Sequence, residues 1–140
     1  MWQLLKAIFL GGTTLIVPTP IEIGPEWVTV TPKEPLTAIT PGATLYFDVT
    51  SALPSSINVT DRLEQGNTLF PKGCAQAQLI TKAGKVVSLS STGVAVSNTK
   101  TFLLLSTDIG VPTDAAFSTV RVCADCGVGR TPVYWKNFSK

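Results

Sequence analysis

Apolar and polar residues alternate along most of this chain, and that period constrains the fold more than any other feature. In WVTVT, Val28 and Val30 would face one way, and in TLYFDVT the residues Leu45, Phe47 and Val49 would share a face. Such segments recur at intervals of roughly ten residues, separated by turns rich in Pro, Gly, Ser or Asn. We therefore predict an all-β fold, a two-sheet antiparallel sandwich of the immunoglobulin-like or jelly-roll type.

About nine short strands are predicted from this alternation. They cover residues 27–31, 44–50, 56–60, 75–81, 85–90, 93–97, 100–106, 118–123 and 132–138. Beyond the first residues, no segment keeps a helical apolar period for two turns, so no further helix is predicted.

The core of the sandwich is predicted from the more apolar face of each segment. On the last strand, Tyr134 and Trp135 point to opposite faces, so we expect Trp135 inside and Tyr134 exposed beside Tyr46 or a neighbouring strand. The full predicted core is Val28, Val30, Leu45, Phe47, Val49, Leu79, Val87, Leu89, Val94, Val96, Phe102, Leu104, Val120, Val122, Val133 and Trp135.

The N-terminal segment WQLLKAIFL, residues 2–10, is apolar on almost every side, because only Gln3 and Lys6 are polar. A helix of this composition needs burial all round rather than on one face. Gly11 and Gly12 then interrupt it. We predict a short apolar helix or arm that precedes the sandwich.

Prolines separate this arm from the alternating segments. Six of the ten prolines fall between positions 18 and 41. Proline fixes φ and withholds a backbone donor, so such a stretch is extended and semi-rigid. We divide the chain into an apolar arm or anchor at 1–17, a Pro-rich linker at 18–25 and a β-sandwich domain at 26–140.

The arm is short for a membrane span. As one continuous helix, residues 2–17 would extend about 24 Å, whereas a bilayer core is about 30 Å thick. No signal-peptide cleavage site follows it. It therefore docks against neighbouring subunits, forms a short uncleaved membrane anchor, or folds back on its own domain. The side chains assigned to docking or anchoring are Trp2, Leu5, Ile8, Phe9, Leu15 and Ile16.

The content of charged residues is low. Charged residues make up 14% of the sequence, against about 25% in an average soluble domain. The net charge of +2 comes without any run of Lys or Arg, so nucleic acid is not an expected partner. Such a surface suits contact with other protein subunits or with a membrane.

Catalytic chemistry has little support in the sequence. Histidine, the commonest general base and metal ligand, is absent, and the nine carboxylates are scattered. We predict that the protein is not an enzyme, with no catalytic, cofactor-binding or metal-binding residues and no cofactor.

Three cysteines leave several arrangements open. Cys123 and Cys126 have the C-x-x-C spacing of half a zinc site, but four ligands are needed and only Cys74 remains. A disulfide would join Cys74 to Cys123 at one end of the sandwich, or Cys123 to Cys126 within the turn. In the remaining arrangement all three thiols are reduced.

Low charge together with abundant Thr, Val, Ser and Pro resembles small β-sandwich proteins of phage virions and bacterial surfaces. That resemblance implies a structural protein of a virion or an extracellular assembly, whose arm binds neighbouring subunits in a homo- or hetero-oligomer. The alternative is a binding module anchored in a bacterial inner membrane and facing the periplasm, or held at the cell surface. A secreted carbohydrate- or adhesin-type module is the third hypothesis.

Overall fold

The computed structural model describes residues 13–16, 19–53, 58–97 and 99–136. The predicted N-terminal helix lies outside these ranges. The described elements are the strands β1 (Thr13–Leu15), β2 (Ile21–Ile23), β3 (Val28–Val30), β4 (Leu36–Thr37) and β5 (Thr44–Asp48), a 3₁₀ turn (Thr50–Ala52), the helix α1 (Val59–Leu69), and the strands β6 (Ala75–Thr81), β7 (Val86–Val96), β8 (Thr101–Ser106), β9 (Ala116–Ala124), β10 (Gly129–Thr131) and β11 (Val133–Lys136).

Nine of these strands form one antiparallel sheet. Its order is β1-β11-β5-β8-β7-β6-β9-β3, and β4 also pairs with β9. Strands β2 and β10 form a separate two-stranded sheet. The prediction of an all-β fold is confirmed at this level, since a curled antiparallel sheet with a small second sheet is consistent with a sandwich or barrel.

The core lies on one face of the large sheet. Phe47, Leu79, Leu103 and Val120 are fully buried and come from strands in both halves of the sheet, which therefore curls so that this face encloses a single cluster. Most of the predicted core is confirmed, and two of its members, Val28 and Val96, are partly buried against that cluster. The predicted residues that are buried are Val30, Leu45, Phe47, Val49, Leu79, Val87, Leu89, Val94, Val120, Val122, Val133 and Trp135.

The core prediction for β8 is wrong by one residue. Phe102 and Leu104 were expected inside, but Leu103 and Leu105 are the buried pair. The segment TFLLLS is apolar at four consecutive positions, so its own pattern does not select a face. The neighbouring strand decides, because Leu103 pairs with the buried Phe47.

The prediction of a strand over 56–60 is also wrong, because α1 begins at Val59. The Asn58 side chain caps this helix by accepting a hydrogen bond from the Asp61 amide at 2.8 Å. Gly66 packs on Val94 so closely that an added Cβ would lie 2.9 Å from its Cγ2. The helix buries few of its side chains, so it shows no apolar stripe in the sequence.

Arg62 joins this helix to the turn between β7 and β8. Its side chain is buried and donates to the Ser97 carbonyl at 2.7 Å and, less closely, to the Lys100 carbonyl and the Thr101 hydroxyl at 3.5 Å. A buried guanidinium needs such acceptors, since an unpaired buried charge is strongly unfavourable. The hydrogen bonds therefore fix the helix against the sheet.

The chain before residue 26 contributes to the domain. The Ile16 amide donates to the Val133 carbonyl at 2.9 Å, and Ile16 is only 3% exposed. Ile23 is also buried, on β2, inside the stretch predicted to be a linker. Residues 13–16 thus fold back on their own domain, which was one of the three alternatives for the arm.

Candidate interaction surface

The six predicted docking residues have different positions. Trp2, Leu5, Ile8 and Phe9 lie outside the described residues. Leu15 is 45% exposed, whereas Ile16 is packed into the core of its own chain. Of these two residues, Leu15 is therefore the one whose side chain is available to a partner.

Leu15 belongs to an apolar row that crosses four neighbouring strands. In the strand register, Leu15 faces Tyr134, Tyr134 faces Tyr46, and Tyr46 faces Leu104. Directly paired residues share a face of the sheet, and these lie opposite the core. We call Leu15, Tyr46, Phe102, Leu104 and Tyr134 the aromatic face.

The rings of this face are packed against one another. The ring centroids of Tyr46 and Phe102 are 5.9 Å apart, and those of Phe102 and Tyr134 are 6.0 Å apart in an edge-on arrangement. Both distances fall in the favourable range for aromatic pairs. All three side chains are half-buried. Burial raises the pKa of Tyr46 above its usual value, so its hydroxyl is neutral at physiological pH.

Charges lie at the margin of the aromatic face. The Lys136 ammonium is 6.0 Å from the Tyr46 ring centroid, and Lys100 contacts the Asp48 carboxylate at 3.5 Å. An apolar centre with polar and charged groups around it is the usual anatomy of a protein–protein contact surface. The arrangement can bury area against another protein.

The sequence predicted part of this face. The expected position of Tyr134 beside Tyr46, with Trp135 inside, is confirmed by the register and by the burial of Trp135. Phe102 and Leu104 were missed because they had been assigned to the core. The overlooked signal lies on β5, where Leu45 and Phe47 are fully buried. Their partners on β8, Leu105 and Leu103, must share the core face, so Phe102 and Leu104 lie on the other face.

A groove adjoins the aromatic face where the two ends of the sheet approach each other. It has a volume of about 370 Å³ and lies between β1 and residues 32–37, with Trp135 beneath. The Trp135 indole donates to the Thr37 carbonyl at 3.0 Å, and this hydrogen bond joins β11 to β4 at the groove. Among the described strands, β1 is the last one of the large sheet on this side, and its outer edge borders the groove.

The cysteines pair differently from either predicted disulfide. Cys74 is bonded to Cys126, and Cys123 is a free thiol. The Asp125 amide donates to the Cys74 carbonyl at 2.9 Å, which places the turn after β9 beside the start of β6. Cys123 lies between two buried residues of β9 and so points to the outer face.

The free thiol is not activated. Burial, followed by the nearby Asp125 carboxylate, raises the pKa of Cys123 above its usual value, and Arg121 opposes this only in part. Because the thiolate is the reactive form, Cys123 is a slow nucleophile near neutral pH.

Two features are absent from the described ranges. No group of three or more His, Cys, Asp or Glu side chains in them is placed to hold a metal ion. No helix in them has the length and apolar character needed to cross a bilayer. The prediction that the protein has no enzymatic activity stays a prediction.

Comparison with known proteins finds no family model, no curated protein and no solved structure that matches this chain. Its function is therefore inferred from the chemistry of its own surfaces.

Proposed function

We propose that this chain is a non-enzymatic structural protein, a subunit of a phage-type virion or of another extracellular assembly. The observation that carries the proposal is the aromatic face, a packed apolar surface that crosses four strands without a charged residue in its centre. Tyrosine and phenylalanine are enriched in protein interfaces because they bury a large area at a small cost in side-chain entropy.

The arm supplies the second part of the proposed contact. Residues 2–10 are joined through two glycines to Thr13, where β1 begins at the margin of the aromatic face. We assign Trp2, Leu5, Ile8 and Phe9 to the apolar contact with neighbouring subunits. Burial of four such side chains would contribute roughly 1.5–3 kcal/mol each before the cost of ordering the arm.

We also propose that the strands form a two-sheet arrangement of the immunoglobulin-like or jelly-roll type. This arrangement would leave the outer edge of β1, with which no other described strand pairs, on the outside of the domain. A partner strand that pairs with this edge would extend the sheet, which is a common mode of protein association.

A second candidate function is a membrane-anchored binding module that faces the periplasm or the cell exterior. The Cys74–Cys126 disulfide favours it, because disulfides persist in oxidising compartments and are rare in the cytosol. An extracellular assembly fits the same observation. The two proposals differ in what covers the arm, which is protein in the first case and lipid in the second.

The Ile8→Asp substitution in the full chain tests the proposal. We expect it to abolish incorporation into large particles, since a charge at a buried apolar contact is unfavourable. The melting temperature of the domain should stay unchanged. Sedimentation in detergent-free buffer measures the particles, and Ile109→Asp is the matched control because Ile109 is 91% exposed and lies outside the aromatic face.

A swap of the arm separates the two candidate functions. Under the assembly proposal, a generic apolar helix of about 20 residues in place of residues 1–12 should not restore particles. Full function with that helix, or recovery of the wild-type chain only in detergent, would support the anchored module and contradict the assembly.

A further inference from the structure

A second surface lies on the outer face of the other half of the sheet, across β3, β9, β6 and β7. In the register, Thr29 faces Arg121, Arg121 faces Gln78, and Gln78 faces Ser88. In the next row, Gln76 faces Ser90. Amides and hydroxyls therefore form parallel rows on this surface, in contrast to the apolar aromatic face.

Arg121 is held in place within the first of these rows. Its Nη1 donates to the Gln78 Oε1 at 3.2 Å, and its guanidinium carbon is 4.9 Å from the centre of the Trp27 ring. Both contacts restrict the side chain before any ligand arrives. Within the described residues, Arg121 forms no ion pair, and its Nε–Nη2 edge has no acceptor.

A broad groove of about 830 Å³ runs over this surface. Trp27, which is 37% exposed, and Gln78 line it, and both of them contact Arg121. The side chains of Gln76, Ser88 and Ser90 also line it, and none of them forms a hydrogen bond to a described residue. The groove thus presents an aromatic ring, the amide of Gln76 and two hydroxyls, and the Arg121 guanidinium is fixed beside it by Trp27 and Gln78.

The charges along the groove favour an anionic ligand. Lys72 and Lys85 line it together with Asp108, and Arg121 contacts its lining residues Gln78 and Trp27. The guanidinium fork matches the geometry of a carboxylate, which it binds with two parallel hydrogen bonds. Free amides and hydroxyls suit a ligand that both donates and accepts hydrogen bonds along its length.

We propose that this groove binds an acidic polysaccharide, with a sugar carboxylate on the Nε–Nη2 edge of Arg121, sugar hydroxyls on Gln76, Ser88 and Ser90, and a sugar ring against the exposed part of Trp27. This activity is separate from the proposed assembly function. A single-stranded nucleic acid fits less well, because its binding sites combine several stacking aromatics with a continuous basic track.

Calorimetric titration of the full chain with a galacturonate oligosaccharide of roughly four sugars tests the proposal, with a neutral glucose oligomer of equal length as the comparison ligand. We expect Arg121→Gln to weaken binding of the acidic oligosaccharide at least about tenfold. Arg130→Gln is the matched control, since Arg130 is exposed on β10, which belongs to the separate two-stranded sheet, and does not line the groove. It should leave the affinity unchanged.

Ser88→Asp keeps the test decisive if Arg121→Gln fails to fold. Ser88 is exposed on β7, so the substitution should leave the fold intact while it repels a carboxylated ligand. We expect weaker binding of the acidic oligosaccharide and a smaller change for the neutral one. Equal affinity for the two oligosaccharides, tighter binding of single-stranded DNA, or no binding at about 10 mM ligand would overturn the proposal.

Discussion

Phe47→Ala should destabilise the domain by about 3–5 kcal/mol, the usual cost of truncating a buried phenylalanine. Phe47 is fully buried on β5, where it pairs with Val133 on one side and Leu103 on the other. Loss of the ring leaves a cavity in the middle of the curled sheet. Urea unfolding followed by circular dichroism measures the free-energy change.

Phe102→Ala is the matched control for this substitution. The same ring is removed, but from the half-buried outer face of the adjacent strand. We expect less than half of the Phe47 effect, because no closed cavity forms. An equal or larger effect for Phe102→Ala would show that the two faces of β8 have been assigned the wrong way round.

Cys74→Ser should lower the stability of the oxidised protein by about 4 kcal/mol in the chain-entropy account. The disulfide joins residues 52 positions apart, so its removal frees a long loop in the unfolded chain. Cys123→Ser is the control and should change stability by less than about 1 kcal/mol, since that thiol is unpaired. Thermal unfolding without reductant compares the two variants.

Alkylation followed by mass spectrometry checks the pairing itself. The native protein should show one reactive cysteine after unfolding without reductant, and three after reduction. Equal destabilisation by the two substitutions, or three reactive cysteines before reduction, would contradict the Cys74–Cys126 bond.

The alternation of apolar and polar residues predicted the core wherever one face of a strand is clearly more polar. Strand β5 is such a case, with Phe47 between Tyr46 and Asp48. Strand β8 is apolar on both faces, and only its pairing with β5 selects Leu103 over Phe102. The sequence of β8 alone therefore does not determine which of its faces is buried.

Helix α1 was missed because its stability does not come from an apolar stripe. It rests on the close contact of Gly66 with Val94 and on the hydrogen bonds of Arg62 to the β7–β8 turn. The Asn58 cap with Asp61 three residues later was visible in the sequence and typical of a helix start. Without a periodic pattern after it, this local signal was overlooked.

Short strands near the N-terminus were unpredictable for a different reason. Strands β1 and β2 have three residues each, and, unlike at β3, the flanking residues do not continue an alternating pattern. The prolines at 18, 20 and 25 flank β2 and lie outside it. Proline composition therefore indicated a linker where the chain in fact returns to the domain.

Each candidate surface depends on residues that are distant in sequence. The aromatic face joins β1, β11, β5 and β8. The second surface joins Trp27, Arg121 and Gln78 from three separate segments. Sequence alone placed Tyr134 beside Tyr46 or a neighbouring strand, because both tyrosines lie opposite the predicted core face of their strands. The other neighbours require the strand register.

Photo-crosslinking from position 9 tests the central claim, that the apolar arm is buried by neighbouring subunits, most directly. A photoreactive phenylalanine analogue would replace Phe9 in the full chain, and intact particles or cells would be illuminated before separation under denaturing conditions. The assembly account predicts covalent adducts between two polypeptides, with a mass of at least twice 14.8 kDa when the neighbour is a second copy. Adducts formed only with lipid would contradict it.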